Sequence, residues 1–333
     1  MMTKSGLLSI RPIMKFKQRW FLIVTVVLLA MPVSARTLDA TTNPGQDEAR
    51  NAQYRSFVEK VKTDQAAAYQ IGKDFISKYP TPDDQFLQYI KRYVAGYEDR
   101  QQRIQCGQVL KDNKAEAFTV CKAVLARTPD DLSVLASLAN TGLSLTGNDR
   151  KTYSGDAVSY ARKAIQLINA GKTFEEGKPL PNKELTLASL NYIVGALSLE
   201  TDPPEAAKAL VAVARSDSDY KKVPQVYALL SDAYRRAEYD KLREELVNKC
   251  GTAEQQETPE CKTLTAKVND VTDRMIDALA RAVAYAATST DANAKTSSAK
   301  WKESLTNIYK FRKGSEDGLD AYIAGVTAKP LPQ

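Results

Sequence analysis

The chain of 333 residues contains no histidine. No Ser-His-Asp or Cys-His arrangement can be assembled from it, and no His-Glu-x-x-His metal motif or histidine general base. Phosphate-cradling loops are missing as well. No Gly-x-Gly-x-x-Gly occurs. The stretch Gly171 to Pro179 has one residue too many between Gly171 and Gly177, and Pro179 stands where a phosphate loop needs Ser or Thr. Asp217 and Asp219 lack the remaining ligands of a calcium loop, so they read as a solvated turn. No alternating apolar and polar run announces a β-strand. A membrane-spanning stretch is also lacking. The run Phe21 to Val33 is about 13 residues, whereas a spanning helix needs roughly 20. The net charge of +7 is itself deceptive. Lys4, Arg11, Lys15, Lys17 and Arg19 lie in the first 35 residues, with no acid among them. Without them 42 basic residues face 40 acidic ones, a net of +2. That balance leaves no strong field for a polyanion, so nucleic acid is not an expected partner.

What is present begins with an export signal. Lys15, Lys17 and Arg19 precede the apolar run, and Val33-Ser34-Ala35 supplies small residues at a cleavage site. Residues 1–35 are therefore expected to be a signal peptide, with Met14 an alternative start. No cysteine follows the run to carry a lipid. The mature chain is expected in the periplasm or outside the cell, without stable membrane insertion. The four cysteines agree with export. Cys106 and Cys121 flank the polar Lys111 to Lys114 stretch, and Cys250 and Cys261 flank the polar Gly251 to Glu260 loop. Two local disulfides, each closing a helical hairpin, are expected. The absence of histidine and of Cys-x-x-Cys spacing argues against zinc, and no cofactor is expected.

After an aperiodic leader at 36–46, apolar and small residues recur at three- and four-residue steps, the spacing of helices. Breaks fall at prolines, glycines and polar clusters. Pro-Asp-Asp at 82–84 and again at 129–131 marks helix starts, with acids suited to the first turn. The segments fall into register. Ala68, Gly72, Phe75 and Pro80 have the same spacing as Ala117, Cys121, Val124 and Pro129. The next helix keeps phase, with Phe86, Tyr89, Ile90 and Tyr93 matching Leu135, Leu138, Ala139 and Gly142. Tyr227, Leu230, Ser231 and Tyr234 repeat that spacing. Ala157, Ala161 and Ala164, then Ala206, Leu210 and Val213, repeat the other. Small residues allow close helix crossings, and proline ends the second helix.

These spacings resemble the tetratricopeptide repeat over roughly residues 50–250. The segment Tyr69 to Tyr93 is also similar to repeats of bacterial envelope-assembly lipoproteins and of periplasmic cell-division coordinators. The resemblance implies an all-α, right-handed α-solenoid of stacked antiparallel helix pairs. The expected organisation is helical repeats at 47–250 and a C-terminal helical cap at 251–333. Pro80 and Pro129 lie 49 residues apart against the 34 of the repeat. The excess of 15 is expected to lengthen the helix holding Tyr93, Tyr97 and Ile104. A second insertion spans Gly171 to Asn182. In the cap, Leu264, Val268, Val271, Met275, Leu279 and Val283 form one apolar stripe. Asp273, Arg274, Asp277 and Arg281 there read as surface or inter-helix ion pairs, with a buried polar site the alternative.

Repeats of this kind bind peptides or proteins along the concave face formed by their first helices. Tyr89, Tyr93, Asn140, Tyr192, Tyr227 and Tyr234 fall on those helices and are the expected contacts. The expected function is therefore an extracytoplasmic interaction scaffold with no catalytic residues. A second reading, a glycan-binding or glycan-cleaving α-superhelical protein of the envelope, needs only a pair of carboxylates.

Overall fold

The structure is a computed structural model that describes residues 44–112, 114–174 and 180–333. The expected signal, residues 36–43 of the leader, Asn113 and part of the second insertion lie outside them. Helices and connecting turns account for all of the described chain, with no strand among the described residues. The helices are α1 (Pro44–Thr63), α2 (Gln65–Lys78), α3 (Gln85–Lys111), α4 (Glu116–Val120) and α5 (Lys122–Arg127). They continue with α6 (Leu132–Ser144), α7 (Gly147–Asn169), α8 (Lys183–Ser198), α9 (Pro203–Ala214) and α10 (Pro224–Tyr234). The last are α11 (Asp240–Lys249), α12 (Ala253–Gln256), α13 (Pro259–Thr288), α14 (Ala292–Lys313) and α15 (Leu319–Val326). None of them is long and apolar enough to cross a membrane. The first begins at Pro44, inside the stretch read as a leader.

The chain divides into two compact units between residues 104 and 105, within α3. In the N-terminal unit α1 packs on α2, and its core is aromatic. Phe57 and Phe75 are fully buried with Leu87 and Ile90. The Phe57 ring meets Tyr93 edge-on at 5.1 Å, and Tyr54 lies 4.6 Å from Phe86. Gly72 is where α2 and α3 cross. A methyl group there would come within 2.8 Å of Val94 Cγ2, so the position must stay bare. Asp84 stops the chain entering α3 from fraying. It accepts the backbone N–H groups of Phe86 and Leu87 at 3.1 and 3.0 Å, and a single nitrogen of Arg50, Nη2, donates to both of its oxygens. The second acid of Pro-Asp-Asp is thus a cap ahead of the helix. Asp131 does the same for α6, accepting from Val134 N at 3.1 Å. At 27 residues, α3 carries the predicted extension.

The larger unit is built from helices that pack on their sequence neighbours: α6 on α7, α7 on α8, α8 on α9 and α9 on α10. Its core is mainly aliphatic and rich in alanine, with Phe118, Tyr227 and Tyr234 among its buried residues. Two more glycines set the crossings. A methyl on Gly142 would lie 2.2 Å from Ala157 Cβ, and one on Gly195 would lie 2.5 Å from Leu210 Cγ. Ala157 and Leu210 are two of the small or apolar positions that the spacing singled out. Disulfides join Cys106 to Cys121 and Cys250 to Cys261, with Cα atoms 4.9 and 5.8 Å apart. Both pairings are the expected ones. They are suited to an oxidising compartment.

Beyond α9 the pattern changes. The chain runs from α10 through a π-helical turn, Arg235–Tyr239, straight into α11. After the short α12 it returns along α13, and the Cys250–Cys261 bridge clips the tip of this hairpin. The boundary expected at 250/251 therefore falls at the tip of a packed hairpin, between two of its arms. All six residues of the predicted α13 stripe are buried. From Met275 to Val283 every position is buried, so this helix has no solvent face there. It is enclosed by α10, α14 and α15. It acts as the central post of this region, while α14, α15 and the residues after them form the outer cover.

Candidate functional site

The six residues expected to contact a partner are placed very differently from one another. Tyr89 and Tyr93 lie on α3 in the N-terminal unit. Tyr89 is 39% exposed and meets Phe57 edge-on at 5.9 Å. Tyr93 is half-buried and donates its hydroxyl to Gln65 O at 3.2 Å; burial raises its pKa. Asn140 and Tyr192 lie in the larger unit, on α6 and α8. Asn140 is exposed, with its amide nitrogen bonded back to Ala136 O at 2.9 Å. Tyr192 is half-buried beside Tyr220, and burial pushes its pKa up to about 12.

Tyr227 and Tyr234, both on α10, present almost no surface, at 2% and 6% exposure. They are corrected here from groove residues to packing residues. Tyr227 stacks on Tyr285 at 5.3 Å and donates to Lys221 O at 2.6 Å. Burial raises its pKa strongly. Tyr234 lies beneath the guanidinium of Arg274, 4.8 Å from the ring centre. Arg274 in turn binds Glu238, in the π-helical turn, through two hydrogen bonds of 3.1 and 2.6 Å. Sequence spacing cannot separate a tyrosine in a groove from one between helices, since both recur at helical steps.

The most developed polar site follows the second of the two sequence readings of its cluster, a buried polar site. Asp277 and Arg281, one turn apart on α13, were read first as surface or inter-helix ion pairs. Their side chains are instead 6% and 5% exposed. Arg281 Nε donates to Asp277 Oδ1 at 2.6 Å, and the Tyr322 hydroxyl of α15 donates to Asp277 Oδ2 at 3.3 Å. Burial, then the neighbouring carboxylate, pushes the Tyr322 pKa up to about 12. A buried charge must find enough partners to offset its lost hydration. Arg281 completes its set outside the helices. One terminal nitrogen donates to Lys329 O at 2.9 Å and to Pro330 O at 3.0 Å. Arg215, just after α9, donates to Pro332 O at 3.1 Å. Between these carbonyls Leu331 packs against the core shared by α9, α10 and α13.

The result is an irregular segment, Lys329 to Pro332, held on a helical body by two arginines and one apolar contact. Its prolines are part of the fit. Each proline lacks an N–H and disfavours helical geometry at the residue before it, so the helix does not continue through the segment and Pro330 and Pro332 present carbonyls without a donor of their own. The tyrosines and Asp277 hold Arg281 in place; they make no hydrogen bond to the segment. The only signal in the sequence was the four-residue step between Asp277 and Arg281, which says nothing about a partner 48 residues away.

Among the described residues no cluster of three or more acidic, cysteine or histidine side chains is suited to a metal ion. Asp277 is the only carboxylate among the fully buried polar residues described, and Arg281 neutralises it. No protein family, curated protein or solved structure matches this chain.

Proposed function

We propose that this protein is an extracytoplasmic scaffold that binds an extended peptide or a protein partner, and that it is not an enzyme. The observation that carries this reading is the hold on Lys329 to Pro332. The helical body grips an irregular stretch of chain through its backbone carbonyls, which is how a scaffold recognises peptides without demanding one sequence. The disulfides and the export-like N-terminal sequence support placing it in the periplasm or outside the cell. The repeat-like helix pairing and its bare glycine crossings support a tetratricopeptide-like scaffold. Tyr89 and Tyr93 in the N-terminal unit, and Asn140 and Tyr192 in the larger one, remain the contacts open to a partner.

The test is site-specific photocrosslinking in the cell envelope. A photoreactive phenylalanine is placed at Tyr89, Asn140 or Tyr192, and buried Leu138 serves as the control position. Discrete adducts at the first three, competed away by excess unlabelled protein and absent at Leu138, are the expected result. Adducts equally abundant at all four positions, or at none, would remove the scaffold reading.

A further inference from the structure

Arg281 has an unusual requirement. Its guanidinium is buried, its inner edge is bound to Asp277, and its outer nitrogen reaches two carbonyls of a segment that follows the last helix. Without that segment, the same nitrogen would keep only its 3.4 Å contact to Asp277 Oδ2, and its second N–H would turn to water in an open groove. Any chain that offers the same carbonyls restores the direct bonds. The groove floor is apolar, formed by the core of α9, α10 and α13 under Leu331. Arg215 stands at the far end for a third carbonyl. The pattern required is two adjacent carbonyls, one apolar side chain, then another carbonyl, with prolines on either side keeping the chain out of a helix.

We infer that this groove is a peptide-binding site and that residues 329–332 occupy it as an intramolecular competitor. The occupant they keep out is a partner's extended segment bearing an apolar residue between two prolines. This deepens the peptide-binding reading and rests on it.

The fit of the segment is mostly backbone. Leu331 packs against the core, and Lys329 lies over the Tyr322 ring at 5.7 Å. A partner therefore needs to match little sequence. What it must overcome is tethering. α15 ends at Val326, so the segment is delivered by a link of only a few residues. A short link of this kind sets an effective concentration in the millimolar range. Partner binding then depends on releasing the strap, by a high local concentration of partner or by a second contact elsewhere on the scaffold.

The probe is a fluorescein-labelled peptide of this chain's own residues 328–333, followed by fluorescence polarisation. Three proteins are compared: the intact mature chain, a chain ending at Thr327, and the full-length chain carrying Leu331→Asp, which expels the strap without shortening it. The shortened and L331D chains should bind the peptide about 100-fold more tightly than the intact chain, as expected when a tethered competitor is removed. Arg215→Gln in the L331D chain should weaken binding several-fold, and a peptide with Asp in place of the leucine should not bind.

Circular dichroism confirms that each protein is folded. If the shortened chain fails to fold, L331D carries the test. Equal affinity in the intact and L331D chains, or no binding to a folded L331D chain, would overturn the inference. A dimer of the intact chain that exchanges its straps, seen by light scattering and lost in L331D, would also overturn it by making a second copy the occupant. The crosslinking result at Tyr89, Asn140 and Tyr192 does not depend on any of these outcomes, so the two readings fail separately.

Discussion

The N-terminal unit and the larger unit close their cores by different means. At 44–104, rings meet rings: Tyr54, Phe57, Phe75, Phe86, Tyr89 and Tyr93 fill the space between helices, and a stacked pair, Tyr69 and Tyr97, sits 4.7 Å apart beside them. No cysteine is present and no charged side chain is fully buried there, among the described residues. At 105–333, alanines and glycines bring helix backbones close, two disulfides clip hairpins, and one ion pair is sunk into the core. Large rings tolerate variation in helix separation because they fill whatever gap remains. Close crossings do not, because a single added carbon has nowhere to go; the N-terminal unit has one, at Gly72, and the larger unit has two, at Gly142 and Gly195. The larger unit should therefore be the more exacting of the two, and four substitutions or conditions can test that.

The largest effect is expected at the buried pair. Asp277→Ala leaves the Arg281 charge unpaired and should cost about 3–5 kcal/mol. The double change Asp277→Leu with Arg281→Met should recover much of it. Urea unfolding measures both, and a single-mutant cost under about 1 kcal/mol would show that water already reaches the pair.

Next come the disulfides. Serine at both cysteines of either pair should cost about 3 kcal/mol, less any strain released. The loss should appear as faster amide exchange in 105–333, with 44–104 little changed. A non-reducing peptide map that found free thiols would remove the basis for the prediction.

The glycines give a paired comparison with opposite signs. Gly142→Ala places a carbon 2.2 Å from Ala157 Cβ and should destabilise by about 1–3 kcal/mol. Gly96→Ala, in the helical part of the N-terminal unit with nothing within 4 Å of the added carbon, should stabilise by about 0.5–1 kcal/mol. Thermal denaturation of the two variants reads the difference directly.

The last effect is confined to alkaline solution. Tyr192 and Tyr322 have folded-state pKa values raised from 10.0 to about 12. Folding favours their neutral forms, so the stability they contribute is complete below pH 10 and is lost as pH climbs from there to about 12. Tyr322→Phe should flatten its share of that decline in a series of unfolding midpoints against pH.

Much of the architecture was legible because its causes are local. The cysteine spacing across polar turns gave both disulfides. The excess of 15 residues gave the length of α3, and the small residues at helical steps gave the crossings at Gly72 and Gly142. The division at 104/105 was not legible, since it falls inside a continuous helix with no proline to mark it. The burial of Tyr227 and Tyr234 was hidden for a different reason: helical spacing records that a residue faces inward, but not whether the neighbour is another helix or open solvent. The hold of Arg281 on the strap was out of reach because its acceptors are backbone carbonyls, and every residue in the sequence has one.

The enclosure of Met275 to Val283 also bears on the order in which the protein can mature. A chain made from its N-terminus presents α10 before α13, but α14, α15 and the strap only afterwards. Until they arrive, one apolar side of the most buried helix in the molecule has no cover. Any product cut short within this stretch carries that exposed side permanently, which makes it prone to aggregation and a target for proteases and holding chaperones. The helices that follow α13 thus complete the burial of the centre of this region.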